Sequence, residues 1–315
     1  MTRRISLDTV REAAQHVYRA AFRTPLVRLD VPGDAELYLK LETLQPIGSF
    51  KIRGAYNAVR QLAPDELAKG VWTVSAGNAA QGVALAARCM GAKCSVLVID
   101  TAPDAKVKAI ERLGASIVSA SYDECWRALE EHGSSRMQGH FVHPFDDDQF
   151  ISGNGTLALE ILEDLPDVDT VVAAIGGGGL LSGIGCVMRA LKPSVKVFAA
   201  EPETAAPFST SLAAGAPGYF PNWRASFVDG AGGKSVLASM WPLLREWTNG
   251  SIVVSLDEVR RAMRLAAERA RVIAEGAAGC AIAAAQRPEA GGGRVVAVVS
   301  GGNIDLSKFS ELVNA

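Results

Sequence analysis

The chain has 315 residues, more than the roughly 250–300 that a single core usually holds, so one large or two closely joined domains are expected. Apolar residues make up 49%, enough for an ample core, and a formal net charge of -2 speaks against nucleic acid or an acidic membrane surface as partner. The cysteines Cys89, Cys94, Cys125, Cys186 and Cys280 show neither a CxxC pair nor metal-ligand spacing, as suits reduced thiols in a cytoplasmic protein.

The first residues, Met1-Thr2-Arg3-Arg4-Ile5, lead into an amphipathic helical pattern, so no signal peptide is expected. No apolar run is long enough to span a bilayer. In chain order, strands are expected over 36–42, 71–74, 94–99, 116–119, 170–175, 195–200 and 295–299. Several are rich in Val and Ile with little alternation, as strands buried on both faces should be. Helical patterns occupy about 53–62, 79–90, 105–113, 180–191 and 256–272. This alternation implies parallel sheets with helices on both sides. Residues 214–233 are rich in Gly, Pro and aromatics and read as a long loop, a feature that is usually functional or disordered. Residues 288–293 form a short linker before the last strand, and no solenoid repeat is apparent.

Open α/β sheets bind ligands at the carboxyl ends of their strands, and several strand-end loops here carry chemistry. In Gly48-Ser49-Phe50-Lys51-Ile52-Arg53-Gly54 a lysine sits between a strand pattern and a helix pattern. Such lysines are usually solvated. In Gly176-Gly177-Gly178-Gly179-Leu180, four glycines follow a strand and open a helix, so backbone N–H groups and the helix N-terminus can meet an anion. No Lys-Ser/Thr follows, so it is not a Walker loop. Tight packing alone is the plainer explanation, at an entropic cost that packing seldom requires. A dinucleotide fold is a sharper rival: Gly177, Gly179 and Gly183 approximate its glycines, and Glu201 stands where a ribose-binding acid would lie. The spacing is imperfect.

Ser75-Ala76-Gly77-Asn78 also opens a helix and suits a carboxylate, with Asn78 either capping the helix or meeting a ligand oxygen. Ser300-Gly301-Gly302-Asn303 ends a strand, and its serine either accompanies a ring nitrogen or closes a turn. Glu275 is a charge at a helix start or a group facing the site. His16, His132, His140 and His143 lie in no metal pattern and beside no G-x-S-x-G serine, so none is given a role. One lysine amine with three anion-binding loops is the equipment of a pyridoxal phosphate enzyme.

Together these residues resemble the fold-type II pyridoxal phosphate enzymes, in the threonine/serine dehydratase (ammonia-lyase) and serine racemase branch. The resemblance covers nearly the whole chain. Residues 41–55 match the lysine motif, and Ser75 to Gly82, Ser152 to Glu160, Gly176 to Gly183, Glu275 to Gly279 and Ser300 to Asp305 match further blocks in order. It implies a two-domain, tryptophan synthase β-like α/β architecture, each domain a mostly parallel sheet flanked by helices. The large cofactor-binding domain would take 1–65 and 147–315, and a small mobile domain, 66–146, would close over the substrate. The resemblance makes Lys51 the Schiff-base lysine and catalytic base, and Phe50 the residue against the pyridoxal 5'-phosphate ring. It sets Asn78 at the ring hydroxyl, Gly176, Gly177, Gly178, Gly179 and Leu180 at the phosphate, and Ser300 at the pyridine nitrogen. Ser75, Ala76, Gly77, Asn78 and Ala79 would hold the substrate carboxylate.

The activity implied is β-elimination from a β-hydroxy amino acid, with L-threonine or L-serine as default, giving a 2-oxo acid and ammonia. A serine at the ring nitrogen weakens the electron sink, which favours elimination over transamination. Three departures sharpen the expectation. Ala76 stands where the racemase has a serine acid/base, so racemisation should be weak. Ala79 replaces the histidine of most relatives, which points to a bulkier or different substrate, such as one like 3-hydroxyaspartate or phenylserine. Pro207 stands where a metal-binding carboxylate is expected beside Glu201, so no tightly bound divalent metal is expected. Arg224 or Lys234, beside Trp223 and Asp229-Gly230, offers a distal carboxylate site, surface solvation being the plainer role. Phe145 is placed at the side-chain end of the pocket. The chain ends soon after Asp305, so a C-terminal regulatory domain is not expected. Related enzymes suggest a homodimer or higher homo-oligomer. The alternatives are a racemising or β-replacing enzyme on the same scaffold and, in another class, a nicotinamide-binding oxidoreductase.

Overall fold

The computed structural model describes residues 3–32 and 35–315. Among the described residues ten strands form two sheets: β1 (Leu26–Leu29), β2 (Ala35–Leu41), β3 (Val71–Val74), β4 (Cys94–Ile99), β5 (Ser116–Ala120), β6 (His140–Phe141), β7 (Thr170–Ala174), β8 (Lys196–Pro202), β9 (Gly250–Val254) and β10 (Gly293–Val299). The larger sheet has the order β1-β2-β10-β7-β8-β9, and the smaller β5-β4-β3-β6. Every pairing is parallel except β1 with β2. Strand β10 lies inside the larger sheet, and its run Val295 to Val299 is wholly buried. That explains its unbroken apolar sequence: a strand covered on both faces has no side to leave polar.

Helices cover both faces of the larger sheet. Helix Gly276–Ala285 is buried at every residue, because its glycines and alanines let it lie close to the strands. On the opposite face, helices Asp148–Asp164 and Gly179–Leu191 pack with the even-numbered valines of β10, Val296 and Val298. Local chemistry sets several starts: Asp147 accepts from Phe150 N–H, and Ser255 and Glu258 form a reciprocal capping box.

Helix Lys51–Arg60 joins the two sheets' helical layers. A Cβ on Gly54 would lie 2.3 Å from Phe150, and one on Gly82 would lie 3.1 Å from the Lys51 carbonyl. The two glycines therefore set how closely this helix meets helices Asp148–Asp164 and Asn78–Cys89. All five cysteines are free, and all but Cys89 are buried. Among the described residues no helix is long and apolar enough to cross a membrane.

The expected strands, and all the expected helices but one, are present within about two residues, and three strands are added. Strands β1, β6 and β9 are short and lie at sheet edges, where a partner strand rather than an apolar run supplies the structure. The helix expected over 256–272 stops at Leu265, passes through a π turn at Ala266–Ala270, and ends at Arg271, whose φ is 60°. That left-handed residue cannot continue an α-helix.

Candidate active site

Four strand ends converge. The lysine loop follows β2, the Ser75 turn follows β3, the glycine loop follows β7 and the Ser300 loop follows β10. Backbone hydrogen bonds tie the lysine loop to the Ser300 loop: Phe50 N–H donates to Ser300 O at 3.0 Å, and Gly302 N–H donates to Gly48 O at 2.9 Å. Gly48 takes a φ of 69°, and a Cβ there would strike the Asn303 side chain, so the turn requires glycine twice over.

Lys51 is the first residue of helix Lys51–Arg60. Its Nζ donates to Pro144 O at 2.7 Å and lies 5.2 and 5.3 Å from the Phe50 and Phe150 ring centres. The residue as a whole keeps partial exposure, but its amine is crowded by protein. Desolvation brings its pKa down to about 8, opposed in part by the Glu275 carboxylate.

Asn78 does not cap its helix; Gly77 is the cap residue, and it offers no side chain. The Asn78 amide instead links loops. Its Nδ2 donates to Glu275 Oε1 at 2.8 Å, and its Oδ1 accepts from Asn303 Nδ2 at 2.7 Å. Glu275 precedes helix Gly276–Ala285 but makes no capping bond with its side chain. Burial pushes its carboxyl up to about 7, helped by repulsion from Asp229 and opposed by the Asn78 bond. Of the two readings of Glu275, the structure selects the group that faces the other loops.

The glycine loop is packed from behind. A Cβ on Gly177 would lie 2.1 Å from the Phe145 ring, one on Gly179 would lie 2.7 Å from Phe145 O, and one on Gly176 would lie 2.8 Å from Gly230 O. Gly178 takes a φ of 91°. Among the described residues, the N–H groups of Gly176, Gly177 and Gly178 find no protein acceptor, and those of Gly179 and Leu180 belong to an open first helical turn. In the Ser75 turn, Ser75 Oγ accepts from Gly77 N–H at 3.0 Å, and Asn78 and Ala79 begin a helix with free N–H groups. Ala76 and Ala79 add only methyl groups.

Behind Lys51 lies a charged network that the sequence did not single out. Arg53, Glu42, Lys40 and Glu160 are all at most 1% exposed. Arg53 holds Glu42 at 2.7 Å and Glu160 at 2.6 Å, and Lys40 holds Glu160 at 2.5 Å. The Tyr18 hydroxyl donates to Glu160 at 2.7 Å. The charges sum to zero, which is what lets them stay buried. The network ties the lysine helix to β2 and to helix Asp148–Asp164. Four buried ionisable groups in separate segments carry no sequence signal until the fold brings them together.

Other expected groups lie elsewhere or are already engaged. The Glu201 carboxylate accepts from Phe208 N–H, Ser209 N–H and Ser251 Oγ, so it is spent on the start of helix Pro207–Ala214 rather than offered to a ribose. Lys234 lies between the Tyr122 and Trp223 rings, at 4.0 and 4.6 Å from their centres, and Lys106 pairs with Asp229. Arg224 contributes a backbone N–H to Thr204 O. His132, His143 and Asp146 bring possible metal-binding atoms within 4.8 Å of one another. Yet His143 Nδ1 accepts from Asp146 N–H at 2.8 Å, and the Asp146 carboxylate already holds Arg3, His132 and Ser239.

Comparison with known proteins gives concordant results. A family model described as "Pyridoxal-phosphate dependent enzyme" matches residues 17–301. The L-threonine ammonia-lyase of Thermotoga maritima is 36% identical over 98% of this chain and 78% of its own length. Human serine racemase is 37% identical over 96% of this chain and 92% of its own. Among solved structures, maize serine racemase superposes with a TM-score of 0.88 at 33% identity, covering 98% of this chain and 96% of that one.

Proposed function

Since the chain belongs to the pyridoxal-phosphate dependent enzyme family, with threonine ammonia-lyases and serine racemases as relatives, we propose that it is an ammonia-lyase for a β-hydroxy α-amino acid. The observation that carries this reading is Lys51: an amine held near pKa 8 beside loops with free N–H groups, with no second acid/base at Ala76.

The residues present fit pyridoxal 5'-phosphate, the cofactor of this family. The free N–H groups of Gly176 to Leu180 suit its phosphate, and the packing behind Gly177 and Gly179 excludes side chains from that loop. Lys51 would hold its carbonyl carbon, Phe50 its ring, Asn78 its ring hydroxyl and Ser300 its ring nitrogen. Ser300 Oγ makes no hydrogen bond with the described residues, so it is available as a partner. When bound, the cofactor supplies a sink for the electron pair left at the α-carbon.

The chain's own groups do the rest. The N–H groups of the Ser75–Ala79 turn bind and orient the substrate carboxylate. Lys51 Nζ, neutral in part at physiological pH, accepts the α-proton. The Cβ–O bond breaks and the hydroxyl leaves as water, and hydrolysis of the amine-bearing carbon returns one water, so the net products are a 2-oxo acid and ammonia. Ala76 offers no proton to the other face of the α-carbon, so racemisation is slow. Residues 66–146 act as a small unit that closes over the substrate, and the working assembly is at least a homodimer in the cytoplasm.

The test is release of 2-oxo acid and ammonia by wild type and Lys51→Ala on stereoisomers of threonine, serine, 3-hydroxyaspartate and 3-phenylserine, with racemisation of serine followed in parallel. Lyase turnover that disappears with Lys51 supports the reading. Racemisation faster than elimination overturns it.

A further inference from the structure

Asn303 makes contacts that the lyase chemistry does not use. Its loop follows β10 and is held to the lysine loop by the backbone bond from Gly302 N–H to Gly48 O at 2.9 Å. Its side chain lies against Gly48, where a Cβ would come 2.6 Å from Asn303 Oδ1. Its Nδ2 donates twice, to Ile47 O at 2.7 Å and to Asn78 Oδ1 at 2.7 Å. One amide thus touches both the loop before Lys51 and the residue assigned to the cofactor's ring hydroxyl.

The order of these bonds fixes which way the Asn78 amide faces. Ile47 O is a carbonyl and can only accept, so the Asn303 group beside it is the amino group. That amino group can only donate, so the Asn78 atom it reaches is the carbonyl oxygen. The Asn78 amino group is then turned to Glu275 Oε1, at 2.8 Å. Glu275 could not impose this by itself. Burial pushes its carboxyl up to about 7, so near neutrality it is partly ionised and partly protonated. Ionised, it accepts from an amino group; protonated, it can equally donate to a carbonyl. Asn303 has no such freedom. Of the two N–H bonds of Asn78 Nδ2, one serves Glu275 and the other has no acceptor among the described residues. Turned over, the amide would present a carbonyl lone pair at the same place.

We propose that Asn303 is a positioning residue, which holds the Asn78 amide so that an N–H, not a carbonyl oxygen, is offered to the ring oxygen of the cofactor. This rests on the placement of Asn78 at that oxygen. The consequence is electronic. An N–H donor stabilises the ring oxygen as an anion, with its proton on the nitrogen that joins Lys51 to the cofactor. A carbonyl favours the oxygen that keeps its proton. The first form absorbs in the visible and the second in the near ultraviolet.

The experiment loads wild type, Asn303→Ala, Asn303→Asp, Asn78→Ala and the Asn78→Ala/Asn303→Ala double variant with pyridoxal 5'-phosphate. It reads the ratio of visible to near-ultraviolet absorption, with thermal melting of each protein as a folding control. Asn303→Ala should lower the ratio by roughly 3- to 10-fold, the weight of one neutral hydrogen bond. Asn303→Asp keeps the size of the side chain but, ionised, can only accept from Asn78, so it should lower the ratio at least as far. Asn78→Ala should lower it too. Adding Asn303→Ala to that variant should change the ratio by less than about two-fold, because a residue that acts through Asn78 then has nothing left to position. A full Asn303→Ala effect in the Asn78→Ala background overturns the proposal, since Asn303 would then act on the lysine loop alone. A wild-type ratio in both Asn303 variants overturns it as well. A wild-type ratio in Asn78→Ala would instead sink the assignment of Asn78 to the ring oxygen, and the proposal with it.

Discussion

Lys51 offers the most direct measurement of what the fold does to a side chain. Its amine sits by Pro144 O and between the Phe50 and Phe150 rings, and loss of hydration there lowers its pKa from 10.5 to about 8. At pH 7 about one amine in ten is then neutral, against about three in ten thousand for an unperturbed lysine, a difference of roughly 300-fold. Competitive trace acetylation of the apoprotein across pH 6 to 11, read residue by residue by mass spectrometry, reports that fraction directly. Lys51 should reach half its limiting reactivity near pH 8, well below the surface lysines. Glu275→Gln removes the negative charge that favours the ammonium, so it should move the midpoint lower. A Lys51 midpoint at pH 10 or above, or an upward move in Glu275→Gln, would refute the reasoning.

Three further outcomes are expected. The Glu275 carboxyl titrates near 7 in the folded chain against 4.5 in the unfolded one, so the folded state binds this proton more tightly and stability falls as pH rises through that window. Glu275→Gln should therefore gain stability relative to wild type between pH 5 and pH 8, by on the order of 3 kcal/mol at most; urea titrations showing a pH-independent difference would contradict this. Arg53→Met leaves Glu42 and Glu160 buried with half their partners gone, at a cost of about 3–5 kcal/mol; a loss under about 1 kcal/mol in urea would show that the network relaxes or hydrates. Gly177→Ala forces a methyl into the Phe145 ring, with 2.1 Å between the Cβ and the nearest ring carbon. It should lower stability by about 1–3 kcal/mol and weaken phosphate or cofactor binding, and unchanged values for both would show that the ring moves aside freely.

Much of this protein is legible in its residue order. The Val-rich strands, the helices between them and the glycine- and asparagine-bearing strand ends follow from local pattern, because buried parallel strands leave a continuous apolar run and backbone anion sites need glycine or an open helical turn. Those loops also carry the resemblance that names Lys51. Short edge strands such as β6 escape this reading, since two residues hold their shape only through a neighbour. The finer chemistry is also a matter of contact between distant segments. That Asn78 bridges Glu275 and Asn303 instead of capping its helix, that Glu201 is spent on Phe208 and Ser209, and that Arg53, Glu42, Lys40 and Glu160 share one buried network are all contacts made after folding. Residue order sets which groups exist and which backbone shapes they favour. Only the tertiary structure sets dielectric and neighbours, and with them the pKa of Lys51, the protonation of Glu275 and the rings that crowd the lysine amine.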